Sequence, residues 1–121
     1  MNTYRQRLGK WGEDLAVKYL TQKGYIILAR NVRTEFGEID IVAQRGETMI
    51  FVEVKTRTSQ DFGYPESALT PQKKSHLLSA IQAYLQKAVS EPPAWQVDIL
   101  AIEREKGKEP LIEHFENALT E

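Results

Sequence analysis

Apolar residues at Leu8, Trp11, Leu15 and Tyr19 recur at three- and four-residue spacing, the stripe of an amphipathic helix. Thr3 and Gln6 fit a capping box ahead of that stripe and Gly24 supplies a stop, so the pattern predicts a helix over residues 3–23. The period then shortens to two, and strands are expected at Tyr25–Asn31, Glu38–Gln44 and Thr48–Thr56. Residues 57–69 read as a loop. A second helix opens at Thr70-Pro71, an N-cap followed by proline at the first helical position, and carries the stripe Leu77, Leu78, Ile81, Tyr84 and Leu85. Pro92-Pro93 breaks the chain before a fourth strand at Trp95–Ile102, and a charged turn leads to a short edge strand at Leu111–Phe115. The order αβββαβ(β) predicts one α/β or α+β domain over residues 1–121, with helices covering a central sheet.

Between the second and third strands, Gly46-Glu47 suits a two-residue type II′ turn with glycine at the first central position. That turn pairs Arg45 with Thr48 and, counting inward, Asp40 with Glu53 and Glu38 with Lys55. Strict alternation would put Glu38, Asp40, Glu53 and Lys55 on one face and Ile39, Ile41, Ile50, Val52 and Val54 on the other. Directly opposed residues have Cβ atoms about 4.5–5.5 Å apart, and two carboxylates so placed repel. A Mg²⁺ or Mn²⁺ ion would neutralise them, since hard divalent cations take carboxylate oxygens, keep several waters and also bind phosphate. Lys55 adds a mobile cation suited to orienting a water and offsetting charge on a phosphate in transition. Asp40, Glu53 and Lys55 are therefore candidate catalytic residues for hydrolysis of a phosphodiester. The bland alternative is an amphipathic hairpin with a solvated outer face.

Gly9 and Gly12 lie inside the first helix, where each glycine costs about 1 kcal/mol relative to alanine. Something must approach that face closely, either a ligand or the sheet itself.

The chain has 121 residues, no cysteine and two histidines, which excludes disulfides and thiolate metal sites and argues against a zinc centre of the usual N/S kind. Its start, MNTYRQRLGK, is polar, and no apolar run approaches the roughly 20 residues that span a bilayer. A cytoplasmic protein without a membrane segment is expected. A net charge of -1 argues against a generic basic nucleic-acid binder. The distribution is uneven: seven bases against two acids up to Arg33, and six acids against three bases from Glu103 to Glu121. One end can face phosphate, or both can be solvated faces.

Asp40 followed by Glu53-Val54-Lys55 resembles the PD-(D/E)xK nuclease signature, with Ile39 in the place of the proline. GxWGEDxA at 9–16, GY at 24–25, RN at 30–31, GEIDIVA at 37–43 and FVEVKTR at 51–57 further resemble the YraN-type bacterial family, which is similar to archaeal Holliday-junction resolvases. The likeness runs from the first helix to Ile102. It implies a restriction-endonuclease-like αβββαβ core with a mixed central sheet. It also implies Asp40, Glu53, the Val54 carbonyl and Glu13 as ligands of Mg²⁺ or Mn²⁺, and Lys55 as the catalytic lysine. A Q-x-x-x-Y element found in some relatives is absent, since Gln72 is followed four residues later by His76.

Arg57, Lys73 and Lys74 flank this set and are candidate phosphate contacts, with solvated surface as the alternative. Asp98 is expected to be a structural or sheet-edge group, and His76 and His114 surface or packing residues. Three functions remain: an endonuclease on branched or structured DNA, a non-cleaving nucleic-acid-binding or adaptor module, and a protein-interaction domain. Symmetric cutting of two strands would require a homodimer.

Overall fold

The first helix, α1 (Tyr4–Gln22), begins at a complete capping box: Gln6 N–H donates to Thr3 Oγ1 at 3.1 Å and Thr3 N–H donates to Gln6 Oε1 at 2.8 Å. It ends at Gly24, whose φ of 93° is in the left-handed region, while Tyr25 N–H reaches back to Leu20 O at 3.0 Å. These features come from a computed structural model, which describes residues 3–58, 69–91 and 93–119. Four strands and a second helix follow: β1 (Ile26–Thr34), β2 (Gly37–Arg45), β3 (Thr48–Thr58), α2 (Pro71–Ala88) and β4 (Ala94–Arg104). A short β5 (Leu111–Phe115) completes the chain's regular structure.

The strands form one sheet in the order β1-β2-β3-β4-β5. Only β3 and β4 are parallel, as the α2 crossover between them requires; the other neighbours are antiparallel. Helix α1 packs Ala16 and Leu20 against Ile41, Ile50, Val52 and Leu100. On the opposite side α2 packs Leu77, Ala80, Ile81 and Leu85 against Val42, Phe51 and Val97. The result is a mixed α/β fold compatible with a restriction-endonuclease-like core. Among the described residues, no helix is long and apolar enough to cross a membrane.

Several expected boundaries shift. Strand β1 continues through Asn31 to Thr34, and β3 runs to Thr58, so Arg57 belongs to a strand. The rest of the expected loop, 59–68, lies outside the described residues, as does Pro92 of the expected Pro92-Pro93 break. The buried line of α1 is Leu8, Gly12, Ala16 and Leu20, with Trp11, Leu15 and Tyr19 flanking it half-buried. Contact distance explains this rotation. A Cβ on Gly12 would lie 2.0 Å from Thr56 Oγ1, so the small residue lets the helix settle onto β3. Gly9 is different, for a Cβ there would meet no atom within 4 Å. Of the two explanations for the glycines, sheet packing accounts for Gly12, and Gly9 is left beside open space.

Asp98, the one fully buried charged residue among those described, sits on β4 rather than at a sheet edge. Its Oδ1 accepts from Gln96 Nε2 at 2.9 Å and from Asn117 N–H at 3.0 Å, and its Oδ2 is 2.7 Å from His114 Nε2. His114 Nδ1 in turn lies 3.1 Å from Tyr19 Oη, and its ring packs edge-on to Tyr19. Thus α1, β4, β5 and the residues after β5 are pinned together, and His114, expected as an ordinary surface or packing residue, is the hub. Truncating one partner of such a network leaves the other buried with lost hydrogen bonds. His114→Ala is expected to cost about 2–4 kcal/mol in chemical denaturation. A cost below about 1 kcal/mol would show that β5 is held by its backbone pairing alone.

Candidate functional site

Gly46, with a φ of 61°, turns β2 into β3 and sets the register. The pairs run from Arg45↔Thr48 to Ile41↔Val52 as the turn predicts, and then the ladder stops. The next residue, Asp40, does not continue the ladder. Its Oδ2 accepts the Val54 N–H at 2.8 Å, so a side chain occupies the position where a neighbouring strand would have offered a carbonyl. Beyond this point β3 keeps its parallel pairing with β4 up to Thr58. The two strands of the hairpin therefore part at Asp40.

Side-chain alternation also breaks there. Ile39 packs with Val42 and Phe51 against α2, whereas Ile41 packs against α1, so Ile39 does not belong to the continuous apolar face expected of it. Across the β1–β2 ladder, Arg30 pairs with Ile41 and Val32 with Ile39, which puts Asn31 opposite Asp40. Asn31 has a φ of 52°, one of two non-glycine residues among those described in the left-handed region. This backbone reversal lets both Ala29 and Val32 face α2 although they are three residues apart. Asp40 is thereby turned toward the α1 side.

Two hollows result, and Lys55 borders both. The first is a cavity of about 560 Å³ beneath the start of α1, lined by Gly9, Glu13, Asp40, Val54 and Lys55. The second, of about 240 Å³, lies beside α2 and is lined by Glu38, Glu53, Lys55, Lys73 and His76. The four charges of the hairpin thus do not share one face, because alternation is reversed at Asp40. Nor does Lys55 pair across the ladder with Glu38; its Nζ lies 3.4 Å from Glu53 Oε1 on its own strand.

Burial first, and then the charge of Glu53, push the Asp40 carboxyl up to about 7 against the pull of the Val54 hydrogen bond. Glu53 is also held above the usual carboxylate range by burial, an effect that the nearby Lys55 and Lys73 ammonium groups partly offset. Glu53 thus opposes the ionisation of Asp40, and Glu38 adds to the rise at Glu53. Glu13 contributes to the same field at Asp40. Its Oε1 accepts from Asn31 Nδ2 at 2.9 Å and from Arg30 at 3.2 Å, so its position is fixed by the two residues before the reversal.

Of the other candidates, Lys73 reaches the second hollow, while Lys74 lies along a different groove of α2. Arg57 extends toward Glu103, with 3.8 Å between Nε and Oε1. Three residues with a place at this site were not among the candidates. His76 and Glu38 line the hollow of Glu53, and Asn31 positions Glu13. His76 falls on the exposed side of its helix, so apolar periodicity gave it no mark. For Asn31 the available signal was the known tolerance of asparagine for the left-handed region.

Asp40, Glu53, Glu13 and Glu38 offer carboxylate oxygen atoms, which hard divalent cations prefer, and His76 adds an imidazole beside Glu53. Among the described residues no three carboxylate, imidazole or thiol side chains form a ready-made metal cluster. A cation at Asp40 and Glu53 would draw its remaining ligands from backbone oxygen and water, as Mg²⁺ commonly does.

Residues 12–102, which include the later part of α1, the whole hairpin and most of β4, match the sequence model of the uncharacterised protein family UPF0102. Similar full-length proteins carry the same family designation. One from Syntrophomonas wolfei is 45% identical over 113 residues, covering 93% of this chain and 97% of that protein. One from Syntrophotalea carbinolica is 43% identical, covering 98% of this chain and 95% of that protein. A third, from Chlorobium limicola, is 40% identical over 94% of this chain and 92% of its own length. With the family pattern covering Glu13, Asp40, Glu53 and Lys55 and relatives aligned nearly end to end, this chain belongs to the UPF0102 family.

Proposed function

We propose that the protein is a divalent-cation-dependent endonuclease of the PD-(D/E)xK type, acting on branched or otherwise structured DNA. The observation that carries this reading is the pair of buried acids Asp40 and Glu53, the charge of Glu53 raising the proton affinity of Asp40 where β2 and β3 part, with Lys55 bordering both hollows. A protein that only bound phosphate would gain nothing from two buried acids beside its cations, because they repel the ligand. Asp40, Glu53 and the Val54 carbonyl are the proposed holders of Mg²⁺ or Mn²⁺, with Glu13 fixed nearby by Arg30 and Asn31. When bound, the cation supplies charge neutralisation and a more acidic water.

The chain's own residues supply the rest. Hydrolysis forms one bond from a water oxygen to phosphorus and breaks the phosphorus–oxygen bond to the leaving strand. Lys55 Nζ, anchored by Glu53 in the resting state, donates hydrogen bonds toward the incoming water and the phosphate oxygens, whose negative charge grows in the transition state. Lys73, on the rim of the second hollow, is a phosphate-positioning group. Arg57 and Lys74 are proposed as more remote backbone contacts.

Lys55→Ala is expected to keep divalent-ion and DNA binding, because affinity for DNA comes mostly from phosphate contacts spread over many cations. Cleavage of a labelled junction with Mg²⁺ should fall about 100-fold or more. Lys55→Arg should recover little, since a planar guanidinium does not replace a compact ammonium. Equal cleavage by Lys55→Ala and wild type would refute this mechanism. Failure of the wild type to cut any of a panel of junction, flap and single-stranded DNAs would favour the non-cleaving binding module.

The Asp40 pair also predicts a pH dependence in metal-free protein. The folded carboxyl titrates near 7 instead of 3.8, so between these values the folded chain holds a proton that the unfolded chain has released. The stabilising contribution is complete below the unfolded value and is lost as pH rises through about 7. Asp40→Asn keeps an oxygen for Val54 N–H but has no charge. In denaturant titrations it should match wild type near pH 4 and exceed it by about 1–3 kcal/mol near pH 8. An Asn variant less stable than wild type at pH 8 would mean that the Asp40 charge is structural.

A further inference from the structure

The cavity that holds Asp40 does not end at Tyr4. Tyr4 and Thr58 also line a second cleft of about 690 Å³, whose far wall is the turn between β4 and β5, including Arg104, Lys106 and Lys108. The two share Tyr4 and Thr58 in their walls, and this adjoining pair makes a trough of two compartments between Asp40 and Lys55 at one end and the Lys106-Gly107-Lys108 turn at the other. We infer that this trough carries an unpaired nucleic-acid strand away from the scissile phosphate, with Tyr4 as its base-stacking platform and Lys106 and Lys108 as phosphate contacts. The inference rests on the nuclease reading above and assigns it a strand path.

Three independent features support the assignment. The first is charge placement at the start of α1. Its first turn contains no acid and includes Arg5, with Arg7 following, the reverse of what the helix dipole favours. Cations placed at a helix N-terminus against that preference suit a bound polyanion. The second is the composition of the acidic C-terminal stretch. From Glu103 to Glu121 it has only three bases, Arg104, Lys106 and Lys108, and all three line this cleft. Two acids, Glu105 and Glu109, line the cleft as well, and Lys108 Nζ lies 3.6 Å from Glu105 Oε1, a surface pair that a phosphate can replace, while Glu113 and Glu116 lie on or after β5.

The third is aromatic. Tyr4 is 55% exposed at the junction of the two hollows, a large ring on which a base can stack. In the same cleft the Arg104 guanidinium lies 5.3 Å over the Trp11 ring. Interleaved aromatic and basic side chains are the arrangement by which single strands are held, since each unpaired base offers a face to stack and each phosphate a charge to meet. A duplex hides its base faces, so Tyr4 would give it little.

The test is fluorescence anisotropy of a labelled single-stranded 20-mer and its duplex, in EDTA so that nothing is cut, across a salt series. Lys106→Gln with Lys108→Gln should lower the steepness of the log–log salt dependence for the single strand by about 1.4, at roughly 0.7 per phosphate contact. Tyr4→Ala should weaken single-strand binding about 10-fold while leaving duplex binding nearly unchanged, and Tyr4→Trp should restore it. Lys18→Gln, on the exposed side of α1, should behave as wild type. Circular dichroism melting of each variant checks that the fold is retained.

If wild type binds and cuts DNA but these variants bind like it, the strand runs elsewhere and the trough assignment fails while the nuclease reading stands. An equal loss of duplex and single-strand affinity in Tyr4→Ala overturns the unpaired-strand assignment. Wild type that binds neither DNA overturns both.

Discussion

Two carboxylates buried within each other's field are the constraint around which this molecule is arranged. Asp40 and Glu53 cannot both ionise without cost in a site shielded from water, and burial is the larger part of that cost for each. Such a pair persists only if the surrounding fold is stable enough to hold it. The five-stranded sheet, covered by a helix on each face, provides that support. The arrangement is unfavourable alone, and the cation we propose would offset it.

The local geometry follows from a few small residues and one reversal. Gly12 lets α1 lie directly on Thr56, which brings Glu13 over the sheet next to Asp40. Asn31 adopts a conformation open to few residues and uses its amide to hold Glu13, so the backbone reversal and the third acid are linked through one side chain. Opposite it, Asp40 leaves the ladder and caps Val54 N–H, which satisfies a donor that the parting strands would have stranded. Each of these features does a structural task and a positioning task at once. A substitution at any of them would be expected to affect both.

Much of this was legible in the chain. The helix caps at Thr3 and Thr70, the turn at Gly46 and the five-pair register of the hairpin all follow local rules, and they appear where the residues put them. The mixed α/β fold followed from the order of elements. What could not be read was tertiary. Alternation assumes a regular strand, so the reversal at Asn31 and Asp40, which separates Ile39 from Ile41 and divides the charges between two hollows, was invisible to it. The stripe on α1 was displaced because Gly12 and Ala16 count as weakly apolar, although closeness of packing selects them. His114 looked unremarkable on a short edge strand; its place depends on Asp98, sixteen residues away on the neighbouring strand.

What we propose is one cation held jointly by Asp40 and Glu53, where their two hollows meet at Lys55. Calorimetric titration of Mn²⁺ into the protein tests it without any substrate. The account predicts one ion per wild-type chain and at least about 10-fold weaker binding in both Asp40→Asn and Glu53→Gln, since each would lose one of the two carboxylates. No binding by wild type, or equal binding by wild type and both variants, would contradict it.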